Sequence, residues 1–302
     1  MSEPRELARL AEAIARAAGR VLADKFKQAR SISFKGERHT DLVTDADGAS
    51  EAVVLDWLRR EVPTHGVLAE ESGAVRTGEY TWYVDPLDGT TNYAHAVPHF
   101  CVTLGVDGPG DGGRAMLAGV VFDPLRDELF LASRGGGATL NGEPIRCSPA
   151  TALRQALMCT GFPYDVTQAP NEPLSPAILG APAPAPAAPP RSADLALGLF
   201  TRIVRRAQGI RRMGSAALDL SYVACGRYDG YFEFGLKPWD TAAGALLVRE
   251  AGGAMHAIDG AAWEPECLDV LACAPGLEGE LSQTCRDFVE QIGWKPRRFS
   301  AR

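Results

Sequence analysis

The feature that most constrains this chain is an acidic turn at the end of a short apolar strand. The apolar run 82–84 (WYV) leads directly into residues 85–92, which read DPLDGTTN. Strand ends are where α/β proteins bind their ligands, so Asp85 and Asp88 are candidate functional residues. The proline stiffens this turn, and the glycine permits backbone geometry that other residues resist. The pattern favours an α/β (α+β) fold with a carboxylate site at a strand end.

The residues that follow the two acids indicate an anion site. A helix that begins at Thr90 would present free N–H groups and two hydroxyls, which together bind anions well. Carboxylates and a bound anion repel each other unless a positive charge lies between them. The sequence therefore predicts a hard divalent cation that bridges Asp side chains and a phosphate.

Other acidic motifs support this interpretation, although each has an ordinary structural explanation. The pair at 70–71 (EE) ends a second apolar strand, where a solvated pair is the usual outcome. Asp45 and Asp47 precede a predicted helix, where an N-cap is commoner than a metal ligand. Asp240 opens a predicted helix far downstream. Their joint occurrence with the 85–92 turn favours one shared site, and turn chemistry alone stays the competing explanation.

Residue spacing tests two related motifs. A calcium-binding loop that starts at Asp45 fails, because Ala49 and Ser50 stand where a ligand and the turn glycine are needed. An aspartyl phosphatase would resemble D-x-D-G-T, with one residue between its acids, whereas two residues separate Asp85 from Asp88 here. The extra residue turns the second carboxylate in a different direction. A metal cluster is therefore preferred over a covalent phospho-enzyme.

Charge and composition argue against several classes of function. With 31 Lys and Arg against 38 Asp and Glu, the formal net charge is −7, which argues against a basic nucleic-acid surface and against docking on anionic lipid. No apolar run is long enough to span a bilayer, and residues 2–26 lack the apolar stretch of a targeting segment. The seven cysteines are odd in number and form no CxxC pair, which predicts a reduced, cytoplasmic protein.

Hydrophobic periodicity outlines two parts of the chain. Helices are predicted at 7–21, at about 47–61 and at 241–251, and strands at 67–69, 82–84, 101–106, 116–122, 128–132 and 231–234. The run 181–190 reads APAPAPAAPP and lacks the apolar content to fold. We expect an N-terminal α+β domain at 1–150 and a C-terminal α/β domain at 151–302, with an insert at about 168–193.

Several motifs, in order along the chain, match one known family. They are DLVTDAD at 41–47, AEES at 69–72, the stretch 82–92, RMGSAA at 212–217 and KPWDTAAG at 237–244. With them the chain resembles the inositol monophosphatase family of the magnesium-dependent, lithium-sensitive phosphatase superfamily. Residues 211–233 are most similar to its bacterial inositol-1-monophosphatase branch. The resemblance covers most of the chain and implies a layered αβαβα sandwich of the inositol monophosphatase and fructose-1,6-bisphosphatase type.

The resemblance also implies metal ligands. A first Mg²⁺ would be held by Glu70, Asp85 and the main-chain carbonyl of Leu87, and Glu70 is counted among the catalytic residues as well. A second Mg²⁺ would be held by Asp85, Asp88 and Asp240. A third, weaker ion would lie near Glu70. Mn²⁺ is expected as a substitute, and Li⁺ and Ca²⁺ are expected as inhibitors.

Roles toward water and substrate follow from the same resemblance. Thr90 would pair with Asp47 to orient and deprotonate the attacking water. The backbone at Gly89 and Thr90 would bind phosphate. The residues expected to contact substrate hydroxyls are Asp88, Gly214, Ser215, Ala216 and Glu233.

The implied activity is Mg²⁺-dependent hydrolysis of a small polyol phosphate by direct attack of water, with myo-inositol monophosphate as the first candidate. Related phosphatases act on fructose 1,6-bisphosphate, NADP(H), histidinol phosphate or 3′-phosphoadenylates. An alternative of another class is a regulatory binding protein in an RNA-related assembly. No basic stripe with interleaved aromatic residues supports direct nucleic-acid contact. A homodimer and no membrane partner are expected.

The chain departs from its relatives between residues 164 and 202, where a shorter connection is expected than this proline- and alanine-rich segment. A tolerated surface insertion is one explanation. The other is that the segment lies over the entrance of the site and narrows the range of substrates.

Overall fold

The computed structural model describes most of the chain. The described residues are 3–27, 32–34, 42–110, 112–163, 192–295 and 297–300. The run 181–190 lies outside them, as does the predicted insert at 168–193 up to the start of a helix at Ser192. Both explanations of that insert therefore stay predictions.

Seven α-helices lie within the described residues. They are α1 (Glu3–Phe26), α2 (Asp45–Glu61), α3 (Thr90–Ala94), α4 (Ser192–Val204), α5 (Ala216–Ala224), α6 (Pro238–Glu250) and α7 (Glu278–Gln291). The first is the predicted amphipathic helix, with Leu7 and Leu22 buried on one side. The second begins two residues before its predicted start, because Thr44 caps it by accepting a hydrogen bond from the Ala46 N–H at 3.2 Å. None of the seven has the length and apolar character needed to cross a membrane.

The strands form two large sheets and one short ribbon. Those before residue 150 are β1 (Ile32–Phe34), β2 (Leu42–Thr44), β3 (Gly66–Ala69), β4 (Gly73–Arg76), β5 (Thr81–Asp88), β6 (Cys101–Gly110), β7 (Gly113–Asp123), β8 (Glu128–Ser133), β9 (Gly137–Leu140) and β10 (Glu143–Pro144). Those after it are β11 (Leu157–Thr160), β12 (Gly209–Arg211), β13 (Gly230–Phe234), β14 (Ala254–Ala257) and β15 (Asp269–Cys273). The sheet orders are β10-β9-β8-β7-β6-β5-β3-β4 and β12-β11-β13-β15-β14, and β1 pairs with β2. One large sheet lies on each side of residue 150, while the division into two domains stays a prediction.

Helices and sheets alternate in five layers. Helices α1 and α2 cover one face of the eight-stranded sheet and share an apolar core with it. Helices α5 and α6 lie between the two sheets and share a second core with both. Helices α4 and α7 cover the outer face of the five-stranded sheet through a third core. The order of layers confirms the predicted αβαβα sandwich.

The predicted acidic turn belongs to a longer strand than expected. Strand β5 pairs with β6 in antiparallel fashion, and this ladder is irregular between Asp85 and Asp88. Pro86 explains part of the irregularity, since a proline has no N–H to donate to a ladder. The two acids therefore lie at the bulged end of an interior strand rather than in a free loop.

Two glycines let α6 lie directly on the eight-stranded sheet. A Cβ atom at Gly119 would lie 2.8 Å from the Cα of Ala243, and one at Gly105 would lie 2.7 Å from the Cβ of Ala242. Real Cβ atoms are essentially never that close to other heavy atoms. Helix α6 carries Asp240, so this close packing also fixes the position of a predicted metal ligand.

Gly119→Val is expected to lower the free energy of unfolding by about 3 kcal/mol, because the backbone of α6 must move away from the sheet. Urea denaturation measures the loss. Gly48→Ala is the matched control: that glycine lies in α2 with no atom near its added Cβ, and we expect a gain of up to about 1 kcal/mol. Equal stability of Gly119→Val and the unmodified protein would contradict the close packing.

Candidate active site

The end of β5 and the start of α3 form a tightly held turn. Asp85 is buried, and its Oδ1 accepts a hydrogen bond from the Leu87 N–H at 3.0 Å. Gly89 has φ 96° and caps α3, which begins at Thr90 as predicted. A Cβ at Gly89 would lie 3.0 Å from the carbonyl oxygen of His99, so both the backbone angle and the space require glycine.

Helix α2 holds this turn and the neighbouring one with buried polar side chains. The Ser50 hydroxyl donates to the carbonyl oxygen of Pro86 at 2.8 Å. The Glu51 carboxylate accepts hydrogen bonds from the Glu71 N–H at 3.0 Å and from the Ser72 hydroxyl. These last two residues directly follow the predicted ligand at position 70. One face of α2 therefore fixes both chain segments that carry predicted metal ligands.

Asp47 joins the cap of α2 to Thr90. Its Oδ2 accepts hydrogen bonds from the N–H (2.8 Å) and the hydroxyl (2.6 Å) of Thr44, which closes a capping box. Its Oδ1 lies 3.2 Å from the Thr90 Oγ1, which is also 3.0 Å from the carbonyl oxygen of Leu87. The Thr90 hydroxyl has one proton and so donates to one of these acceptors at a time. Burial raises the pKa of Asp47 to about 6.

Asp88 connects the two halves of the molecule. Its Oδ2 accepts hydrogen bonds from the Ser215 hydroxyl and from the Ala217 N–H, each at 2.7 Å. Ser215 is the N-cap of α5, so the carboxylate lies at a helix N-terminus. Burial raises the pKa of Asp88, and these hydrogen bonds oppose the rise. Asp88 thus ties the end of β5 to the start of α5.

Asp240 has the same local role in α6 that Asp47 has in α2. It is the third residue of the helix, and its Oδ2 accepts a hydrogen bond from the Lys237 N–H at 2.7 Å. Backbone N–H groups in this way orient the carboxylates of Asp47, Asp85, Asp88 and Asp240. Backbone hydrogen bonds therefore restrain the direction of each of these four carboxylates.

The carboxyl groups repel one another. Burial raises the pKa of Asp85 well above its usual value, and the charges of Glu70, Asp88 and Asp240 raise it further. Burial, Asp88 and Glu70 likewise raise the pKa of Asp240. These four acids can ionise together only if a positive charge lies among them.

The chemistry of these donors fits a hard cation. They are carboxylate oxygens and a main-chain carbonyl, the type of ligand that Mg²⁺ prefers. Among the described residues, no three His, Cys, Asp or Glu side chains stand close enough together to hold an ion by themselves. Mg²⁺ usually keeps several water ligands and binds through one or two carboxylates and a substrate phosphate, so an open arrangement suits it. The assignment of ligands stays a prediction.

One cleft of about 580 Å³ brings the predicted residues together. Eleven of the twelve predicted site residues line it, namely Glu70, Asp85, Leu87, Asp88, Gly89, Thr90, Gly214, Ser215, Ala216, Glu233 and Asp240. The twelfth, Asp47, lies behind Thr90 and reaches the cleft through it. The cleft also contains three basic residues, Arg212, Lys237 and Arg297, for which the sequence predicted no firm role.

Helical spacing would have revealed two of the residues that the sequence analysis missed. Ser50 and Glu51 lie three and four positions after Asp47, on the same face of α2. A polar side chain on the buried face of a helix, one turn from a candidate site residue, is a usable signal. Arg297 gave no such signal, because its position depends on the path of the C-terminal segment.

Comparison with known proteins gives a consistent result. Residues 3–292 match the model of the inositol monophosphatase family. An inositol-1-monophosphatase from Synechocystis is 40% identical over 272 residues, which cover 88% of this chain and 84% of that protein. Nus factor SuhB from Pseudomonas aeruginosa is 43% identical over 243 residues, which cover 79% of this chain and 80% of that protein.

Solved structures agree with the fold. The inositol monophosphatase from Anabaena (Nostoc) superposes with a TM-score of 0.76 at 38% identity, over 95% of this chain and 97% of that one. Sequence and structure thus point to the same family. The chain belongs to the inositol monophosphatase family.

Proposed function

We propose that this protein is a Mg²⁺-dependent phosphomonoesterase that hydrolyses a small polyol phosphate, with myo-inositol monophosphate as its first candidate substrate. The observation that carries the proposal is the group of four mutually repelling acids, Asp85 buried among them, in the same cleft as Thr90. A fold keeps such a group only where a cation offsets its charge, and loaded with cations it attracts a phosphate. The relative from Synechocystis, named an inositol-1-monophosphatase, supports the activity.

The residues divide into two proposed cation positions. Glu70, Asp85 and the Leu87 carbonyl would hold one Mg²⁺, and Asp85 with Asp88 and Asp240 would hold another. Bound there, Mg²⁺ supplies charge neutralisation and activation of water for in-line displacement at phosphorus. Asp85 is the one ligand common to both positions.

The chain's own residues orient the attack. The Thr90 hydroxyl can take a proton from water and pass its own to Asp47, whose Oδ1 lies 3.2 Å away. The N-terminus of α3 at Gly89 and Thr90 offers backbone N–H groups to the phosphoryl oxygens. In-line displacement requires the leaving oxygen to lie opposite the water. We assign the leaving group to the part of the cleft near Glu233, which lies on β13 of the five-stranded sheet and lines the same cleft.

Glu233 is suited to bind hydroxyls of the leaving group. The Tyr231 hydroxyl donates to its carboxylate, and burial raises its pKa to about 7. Gly161 leaves the space that this carboxylate fills, since a Cβ there would lie 2.0 Å from the Glu233 Oε2. A carboxylate in the wall of the cleft favours a polyol over an apolar leaving group.

A panel of phosphomonoesters tests the proposal: inositol 1-phosphate, histidinol phosphate, NADP(H), 3′-phosphoadenosine 5′-phosphate and fructose 1,6-bisphosphate, with released phosphate as the readout. We expect Mg²⁺-dependent release that is fastest from inositol 1-phosphate, partial support by Mn²⁺, and inhibition by Li⁺ and Ca²⁺. Faster release from another member would reassign the substrate. Release from none of them, with Mg²⁺ present, would overturn the proposed activity.

A second candidate is a regulatory role in an RNA-related assembly, favoured by the relatives named Nus factor SuhB. The net charge of −7 argues against direct nucleic-acid binding, so a protein partner is the expected contact. Affinity capture of transcription or ribosomal proteins by a catalytically silent variant would support it. We also propose that the protein is a homodimer and that it is cytoplasmic. Light scattering of the purified protein tests the dimer by measuring the molar mass.

A further inference from the structure

The last described residues of the chain return to the cleft. The family match ends at residue 292, and residues 293–295 and 297–300, here called the tail, follow α7. The Phe299 N–H donates to the carbonyl oxygen of Glu266 at 2.8 Å, and Arg298 forms an isolated β-bridge with Cys267. Backbone pairing thus fixes the tail along the chain segment that precedes β15.

Aromatic contacts fix the tail against the start of α6, which carries a predicted metal ligand. The ring of Phe299 packs edge-on against Trp239 with centroids 5.6 Å apart. The Lys237 Nζ lies 6.0 Å from the centroid of the same Phe299 ring. Trp239 directly precedes Asp240, so the tail forms part of the wall next to the proposed cation positions.

Arg297 is the tail residue that lines the cleft. Its Nη2 lies 3.2 Å from the Oδ1 of Asp269, a buried carboxylate that also accepts the Gly235 N–H at 3.0 Å. The Arg297 side chain keeps 42% of its surface exposed. Asp269 therefore orients the guanidinium beside the loop that joins β13 to α6. Glu233 lies on the strand at one end of this loop, and Asp240 lies on the helix at the other end.

The cleft is lined by both acidic and basic side chains. Carboxylates lie at the end of β5 and at the start of α6, and Arg297, Lys237 and Arg212 line the same cleft. The Arg297 Nη2 would lie 3.9 Å from a Cβ atom at Gly235. A guanidinium binds phosphate and carboxylate groups through paired hydrogen bonds. A cleft of about 580 Å³ accommodates a ligand larger than one phosphoryl group with a six-carbon polyol.

We propose that the tail is a specificity element in which Arg297 binds a second anionic group on the leaving part of the substrate. The inference rests on the proposed function, since it places the reacting phosphoryl group at the carboxylates. The polyol then spans from these acids to the guanidinium. Such an element would add affinity for a polyol that carries a second phosphate, while hydrolysis would still occur at the carboxylates.

Fructose 1-phosphate and fructose 1,6-bisphosphate are suitable probes, because they differ only in the second phosphate. Their dissociation constants are measured by calorimetry with Ca²⁺ in place of Mg²⁺, so that turnover does not interfere. We expect the unmodified protein to bind the bisphosphate about tenfold more tightly. Arg297→Ala should remove this preference and change the affinity for the monophosphate less than twofold, while Arg297→Lys should restore part of it.

Arg298→Ala is the matched control. Arg298 is the next residue, its side chain is 55% exposed and paired with Glu264, and it does not line the carboxylate cleft. We expect no change in either dissociation constant. Three results would overturn the inference. Arg297→Ala could weaken the binding of both probes equally, or it could change neither dissociation constant. The third is that the unmodified protein binds the two probes equally tightly. The phosphate-release panel fails or succeeds independently of this binding experiment.

Discussion

Asp85→Asn is expected to abolish Mg²⁺-dependent phosphate release while the protein still folds. Asp85 is the one carboxylate shared by both proposed cation positions, and its replacement removes a charged ligand from each. The loss should be roughly a thousandfold or more, which corresponds to about 4 kcal/mol of transition-state stabilisation. The amide of Asn keeps the volume and one oxygen that can still accept the Leu87 N–H.

Cation binding gives a second readout that does not depend on turnover. In the unmodified protein, Mg²⁺ at one hundred times its dissociation constant should add about 2.7 kcal/mol to the free energy of unfolding. In Asp85→Asn this gain should largely disappear. Without added cation the variant should be at least as stable as the unmodified protein, because it lacks one buried acid that its neighbours repel.

Asp56→Asn is the control for a loss of charge elsewhere. Asp56 lies on α2, is 54% exposed and pairs with Arg60 at 3.1 Å, so its replacement should change neither phosphate release nor the Mg²⁺ effect. Near-normal turnover of Asp85→Asn would refute the assignment of this residue as the shared ligand. An unfolded Asp85→Asn protein would refute the expectation that the fold tolerates the change.

The layers of the fold were predicted from the resemblance to one family, whereas the helices, the strands and the acidic strand ends were predicted from local patterns. The alternation of apolar runs with acidic strand ends located Asp85 and Asp88, and the family motifs placed Glu70 and Asp240 with them. The exact extent of β5 was missed. A strand that continues through a proline with an irregular ladder has no distinct sequence pattern.

The two explanations offered for Asp47 turn out to be compatible. One carboxylate oxygen closes the capping box of α2, as an ordinary N-terminal acid does, and the other faces Thr90. Asp240 also caps its helix with one oxygen. Sequence reasoning treats a cap and a functional acid as alternatives, but a carboxylate has two oxygens and can serve as both.

Long-range contacts account for what the sequence could not predict. The position of Arg297 depends on backbone pairing between the tail and the segment around Cys267, and on the contact of Phe299 with Trp239. No spacing rule connects these residues, since they are brought together by the fold alone. The turn that joins β9 to β10, in contrast, depends on local sequence: Asn141 and Gly142 both adopt positive φ, the backbone geometry that this dipeptide favours in a two-residue hairpin turn.

The pair formed by Asp47 and Thr90 is expected to act as one unit. Asp47→Asn should lower kcat by roughly a hundredfold to ten-thousandfold, because the amide nitrogen that replaces one oxygen cannot accept a proton. Thr90→Ala should cause a similar loss. The double variant should then be little slower than either single variant, since the second change removes a side chain that can no longer take part in proton transfer.

Kinetics at saturating Mg²⁺ on the best panel substrate measure these losses, and thermal unfolding checks each variant for stability. The pKa of Asp47 is raised to about 6 by burial, and nearby cations would lower it, so the acid limb of kcat/KM in the unmodified protein should lie at or below pH 6. In this pH range kcat/KM should rise with pH as the Asp47 carboxyl group loses its proton. The Asp47→Asn variant should not show this rise.

Thr90→Ser separates a chemical role from a packing role. Serine keeps the hydroxyl and loses only the methyl group, so this variant should keep most of the activity that Thr90→Ala loses. Multiplicative losses in the double variant would mean that the two side chains contribute separately. The 3.2 Å contact between them would then serve the packing of α2 against α3 and would not carry a proton.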